Sequence, residues 1–196
     1  MGAVRILNKI KLLFKKHPFL MNVASYGTMC VSAEVAQQTV RIINSKQKSI
    51  DLSSVGRFAL IGTAGIAPFL FNFYKCLDYA LPAVTKRTVI MKVASDLLMC
   101  SPTTITIFFT GMGVLEGKED VFAELKAKFW STYKMSCCFW LPAQAINFAL
   151  LPPYTRVAFV GVASFIWVNV LCLVKRQEIS ETKIDNPEVL EKAAKD

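Results

Sequence analysis

Apolar residues run along this chain in long blocks separated by short charged ones. Charged side chains crowd into residues 5–16, 41–57, 75–92, 116–134 and 175–196. Between them lie four apolar segments, 18–40, 58–77, 93–115 and 157–174, of 18 to 23 residues each. That length suffices for a helix to cross a hydrocarbon core ~30 Å thick. A soluble domain of this size spreads its charges over every helix face instead. The pattern therefore predicts an all-α, polytopic membrane helix bundle with four transmembrane spans plus interfacial or re-entrant helices.

Two segments do not fit a simple span. In residues 122–135, FAELKAKFWSTYKM, charged and aromatic positions alternate at helical spacing, as in an interfacial helix. Residues 136–151 are apolar but short and contain Pro142, and Pro152-Pro153 follow them. They read equally as a fifth span, a re-entrant segment or a buried helix. Proline within a helix frees a carbonyl that a neighbour must satisfy.

The ends differ from the middle. Residues 1–17 carry Arg5, Lys9, Lys11, Lys15 and Lys16 and no acid, while Val4, Leu7, Ile10 and Phe14 can share one helix side. This suits a basic amphipathic surface helix or a targeting element of mitochondrial type. Residues 18–175 form the bundle domain, and 176–196 a charged, solvent-exposed and partly disordered tail. With four spans, the side holding both termini has thirteen Lys and Arg against nine on the other. That count favours both termini on the cytosol-like side, and a fifth span reverses it.

Polar residues inside the apolar blocks are the candidate chemistry. Glu34, Gln37 and Gln38 lie in the first span, Asp96, Thr103 and Thr104 in the third, and Gln144 and Asn147 in 136–151. A charge at the bilayer centre costs at least ~2.5 kcal/mol on insertion scales, so such groups face the bundle interior. Glu34 and Asp96 either pair with Lys92, Arg57 or Arg156 or face a wet path. Gln144 and Asn147, three residues apart, share a helix face and serve as interhelical glue or as a pore lining. Gly62, Gly65, Gly111 and Gly113 stand where helices can approach closely, and Gly117 where a helix can end.

Composition narrows the function classes. Hydrophobic residues are 54% and charged ones 19%, against about 25% charged in soluble domains, and the mean hydropathy is +0.42. The net charge of +9 is scattered over short loops and tails. It suits anionic headgroups better than nucleic acid, and no direct nucleic-acid partner is expected. Six cysteines without a CxxC and the lone His17 support neither a metal site nor a cofactor. No nucleophile stands beside a base, and HExxH and P-loop motifs are missing, so an enzyme is not expected.

The assembled residues resemble the family of organelle membrane proteins that includes peroxisomal membrane protein two and Mpv-seventeen. Trp140, Gln144, Asn147-Phe148, Pro152, Arg156 and Trp167 follow its W-P-x-x-Q-x-x-N-F-x-x-x-P…R…W order. Lys92, Asp96 and Pro102 match K-x-x-x-D…P, and Glu116-Gly117 match E-G. Pro68, Tyr74, Leu77 and Asp78 match part of G-P-x-x-H-x-W-Y-x-x-L-D. The run EGKEDVFAELKAKFWSTYK looks most like the Mpv-seventeen-like branch. The chain departs from the pattern at Phe71, Phe73, Leu97 and Leu141. The resemblance implies a non-enzymatic protein of the mitochondrial inner membrane or, alternatively, the peroxisomal membrane. It also implies links to solute permeability, reactive-oxygen metabolism and mitochondrial DNA maintenance. Two functions follow as expectations. One is a weakly selective pore for small metabolites, lined by Glu34, Asp96, Gln144 and Asn147. The other is a non-conducting protein acting through partners, with a homo-oligomer as one arrangement.

Overall fold

The computed structural model describes residues 12–13, 16–82, 85–149, 159 and 162–175. The expectations for residues 1–11 and 176–196 lie outside these, as do Pro152 and Arg156. Within them the fold is all-α: α1 is Pro18–Ile43, α2 Leu52–Leu60, α3 Ala67–Ala80, α4 Lys86–Ser95, α5 Ser101–Leu115, α6 Ala123–Ala149 and α7 Val162–Lys175. A π-helical turn, Ile61–Ile66, joins α2 to α3, and another, Asp96–Cys100, joins α4 to α5. Leu52–Ala80 and Lys86–Leu115 are thus continuous rods of 29 and 30 residues, long and apolar enough to cross a membrane.

Local chemistry explains where these helices begin and end. Pro18 opens α1, where its missing N–H is no loss. Asp51 caps α2 by accepting from the Ser54 amide at 3.1 Å, and Thr85 and Thr88 form a reciprocal capping box on α4. At the end of α5, Gly117 adopts a left-handed φ of 67°. Lys118 N then donates to Gly113 O and Gly117 N to Val114 O, which completes a Schellman stop. Each π-turn ends just before a proline, Pro68 or Pro102. A proline ring cannot donate to the carbonyl four residues back and collides with it, and a widened turn relieves that conflict.

Successive passes run antiparallel along one bundle. Glu116, at the end of α5, meets Glu124 and Lys175, at the start of α6 and the end of α7, through shared ion pairs. Further along, Ser101 reaches Ser136 and Tyr133 reaches the Leu97 carbonyl. Residues 123–149 therefore form one helix that returns the chain along the full bundle. This corrects the division into an interfacial helix at 122–135 and a separate segment at 136–151. The reason is a buried stripe, Lys128, Thr132 and Ser136, spaced four apart so that one face of α6 turns inward across the junction of the two expected segments.

The burial pattern departs from that of a water-soluble protein: polar side chains join the apolar core while large apolar ones lie on the outside. Glu34 and Gln38 are fully buried, whereas Leu98, Ile90 and Trp130 are 70%, 68% and 66% exposed. An apolar exterior around a partly polar interior is what a lipid solvent selects. The core joins Phe58, Ile105, Phe108, Phe109, Met112 and Trp167, with Phe139 stacked on Trp167 at 5.6 Å.

Close approach at the α5–α6 corner yields a stability test. A Cβ on Gly113 would stand 2.7 Å from the Val121 carbonyl oxygen, a backbone atom with little room to yield. Gly113→Ala should lower the unfolding midpoint of the detergent-solubilised protein, by about 1–3 kcal/mol in stability. Gly56→Ala, with nothing within 4 Å, should leave it unchanged or raise it slightly.

Candidate functional site

Polar side chains gather at two levels of the bundle. The first lies where α1 and α5 end and α2 and α6 begin. Gln38 Nε2 and Ser54 Oγ both donate to Glu34 Oε1, each at 2.7 Å. Gln38 Oε1 accepts from the Asp51 amide at 2.6 Å and from Gln47 Nε2 at 3.0 Å. One amide side chain thereby clips the turn between α1 and α2 to the end of α1.

Across the same end, Lys175 Nζ bonds Glu116 at 3.0 Å and also Glu124, while Lys118 Nζ bonds Glu124 at 2.5 Å and Glu116 at 3.3 Å. Two lysines and two carboxylates thus balance one another. Glu124 lies in the first turn of α6, where the helix dipole favours an anion. One turn on, the buried Lys128 donates to the Val174 and Lys175 carbonyls at 3.1 and 3.0 Å and stands 5.8 Å from the Phe109 ring centroid. It supplies positive charge where the α7 dipole ends. This level opens into a cavity of about 620 Å³ floored by Phe58 and Met112.

The second level centres on Asp96. Tyr74 Oη donates to Asp96 Oδ1 at 2.5 Å, and Cys100 lines the same cavity as both. Asp96 lines a cavity of about 340 Å³ together with Thr104, Trp140, Gln144, Ser164 and Trp167. A neighbouring cavity of about 420 Å³ shares Tyr26, Leu70 and Tyr74 with it and extends to Asn22, Lys75 and Asp78. The Lys92–Asp78 ion pair, at 2.5 Å, stands at the exposed end of this level.

The expected site residues therefore separate. Asp96 and Gln144 share one cavity, whereas Glu34 belongs to the opposite end, because α1 and the 86–115 rod carry their acids at opposite ends of the bundle. Asn147 and Phe148 stand on the last turn of α6, and their side chains lie outside the described residues. Lys92 and Arg57, weighed as partners for the two acids, bond Asp78 and Asp51. Of the motif residues, Tyr74, Asp78, Lys92, Glu116, Trp140 and Trp167 hold the contacts given above, and Pro68, Pro102 and Gly117 shape the backbone. Sequence reasoning missed Gln38 as a clip and missed Lys128, Glu124 and Lys175. The four-residue spacing of Lys128, Thr132 and Ser136 was the available signal. Among the described residues, no group of three or more His, Cys, Asp or Glu could hold a metal ion.

Residues 113–172 match the model of the Mpv17 / PMP22 family. The chain is 39% identical to the Mpv17-like protein of Xenopus laevis, with 85% of this chain and 81% of that one aligned. It is 30% identical to the Mpv17-like protein of Bos taurus, over 83% of this chain and 80% of that one. Identity to peroxisomal membrane protein 2 of Bos taurus is 27%, with 83% and 86% of the two chains covered. No solved structure matches.

The four-charge cluster generates a pH prediction. Burial pushes the Glu124 carboxyl up, but hydrogen bonds from Lys118 and Lys175 and their charges outweigh it and hold it below the usual carboxylate range. A carboxyl lowered in the folded state contributes stability above its unfolded value, lost as pH falls through the folded one. The wild-type unfolding midpoint should therefore drop on acidification below about pH 4.5, the ordinary glutamate value. Glu124→Gln should start lower at pH 7 and show a shallower acid limb.

Proposed function

Because the chain belongs to the Mpv17/PMP22 family of organelle-membrane proteins, we propose that it conducts small polar metabolites with weak selectivity through the interior of its helix bundle. Mitochondrial homeostasis and reactive-oxygen metabolism are the processes such a conduit serves. The mitochondrial inner membrane is its location, in keeping with the basic composition of residues 1–17. The peroxisomal membrane, after which one bovine relative is called, is the alternative. The described residues between 18 and 175 form the membrane bundle. The four apolar segments of the sequence are assigned to bilayer crossings, with the part of α6 from residue 136 onward as a fifth between them.

One observation carries the reading: two cavities that hold polar side chains, one at the Gln38 end of the bundle and one around Asp96, approach each other inside it. Met112 lines the first cavity and Thr104 the second, with Phe108 one turn from each on the same helix. Eight residues of helix separate the two, about 12 Å at 1.5 Å per residue. The barrier in that interval is Ile105, Phe108, Phe109 and the Phe58 ring 5.7 Å from Phe108. A short apolar constriction is how pores close by dewetting. Of the two buried acids, Asp96 (with Gln144) then acts on the path beyond the barrier, while Glu34, which lines neither cavity, braces the Gln38 and Ser54 side chains before it.

The second reading is a non-conducting protein that works through partners in redox or stress response and mitochondrial DNA maintenance. It is favoured by how completely Glu116, Glu124, Lys118 and Lys175 neutralise one another. Single-channel recording in planar bilayers separates the two. The purified protein should give small, brief openings, and Phe109→Ala should raise open probability several-fold. Asp96→Asn should change the cation-to-anion permeability ratio by roughly twofold or more. If wild type and Phe109→Ala are both silent while shown to be folded and inserted, the conduit is wrong.

A further inference from the structure

Five cations and three anions face the 620 Å³ cavity at the Gln38 end of the bundle. Lys118 and Lys175 are matched by Glu116 and Glu124. The other wall is not balanced. Asp51, its one acid, lies 3.8 Å from Arg57 and is already engaged as the cap on the Ser54 amide. Arg57 Nη1 donates to Ser53 at 2.9 Å, but its Nε is buried without a hydrogen-bond acceptor. Arg41 and Lys48 make no ion pair among the described residues, although both line the cavity.

A structural reason exists for Arg41 alone: it stands in the last turn of α1, where the dipole favours a cation. That reason does not reach Lys48, in the following turn, or the unsatisfied Arg57 Nε. Three cations from three chain segments converge on one concave volume. Its floor, Phe58 and Met112, is apolar, and low-dielectric walls focus the potential outward. A compact multivalent oxyanion suits this arrangement, with guanidinium groups supplying forked donors and the lysine a point charge. Gln47 and Ser49 add neutral polar groups to the same rim. The volume exceeds a bare phosphate and has room for the group that bears it.

We propose that this cavity binds a phosphate group, carried by a small phosphorylated solute or by the headgroup of an anionic lipid. Arg41, Lys48 and Arg57 hold it. Binding requires no conduction, so the site stands or falls separately from the pore.

The test uses the full chain in nanodiscs of zwitterionic lipid, with the unfolding midpoint followed by tryptophan fluorescence. Inorganic phosphate is titrated against chloride at constant ionic strength. A ligand that binds the folded state raises the midpoint saturably. Arg41→Gln/Lys48→Gln should weaken the apparent affinity roughly tenfold or more, as the loss of two charge-assisted contacts requires. Lys126→Gln, which removes an exposed cation paired with Asp120 away from the cavity, should change nothing. Should the double variant fold poorly, Lys48→Gln alone gives the same comparison, because that side chain is exposed and makes no ion pair among the described residues. In nanodiscs containing phosphatidic acid, a headgroup occupant makes the wild type more stable and insensitive to added phosphate. A free solute site still responds. The proposal is overturned if neither phosphate nor phosphatidic acid shifts the wild type, if chloride reproduces the shift, or if the Arg41/Lys48 variants respond as wild type does.

Discussion

A polar group buried in a bundle with an apolar jacket has to find its partner inside the protein, because no solvent outside supplies one. An orphaned group of this kind costs roughly 1–3 kcal/mol or more. The pairings that meet this demand join different elements. Gln38 ties α1 to the Asp51 amide, Tyr74 on α3 reaches Asp96, and Ser101 on α5 meets Ser136 on α6. Lys128 on α6 holds the last carbonyls of α7. Apolar side chains against lipid-like surroundings have little preference for one register over another. These few directional contacts choose the register, and with it the level at which each polar residue stands.

The prolines work with that scheme. Pro68 and Pro102 each follow a π-turn, and the Asp96–Cys100 turn is the one that carries the buried acid. Widening the helix there places Asp96 and Cys100 together beside Tyr74. The same widening sets Thr104 at the edge of the cavity. A backbone irregularity and a buried charge therefore coincide, a combination that recurs where helices are shaped for a task rather than for packing alone.

Much of this could be read from the residues. The long apolar blocks, the Asp51 and Thr85 caps and the Gly117 stop are local, and each follows from a few neighbouring side chains. The inward placement of Glu34, Gln38 and Asp96 follows from the expense of placing them against lipid. The family pattern around Trp140 and Trp167 was equally visible. What escaped was α6. Its lysines and aromatic residues looked interfacial, because a one-dimensional pattern does not show that Lys128 will find two helix-end carbonyls and an aromatic ring.

The sequence by itself determined an all-α membrane protein with polar residues held inside, since helix formation and lipid exclusion depend on composition over a few turns. Only the tertiary structure decided that Glu34 and Asp96 serve opposite ends, that residues 123–149 are one helix, and that Arg41, Lys48 and Arg57 share a cavity. Those outcomes depend on antiparallel register, which is set by contacts between residues as far apart in the chain as Lys128 and Lys175.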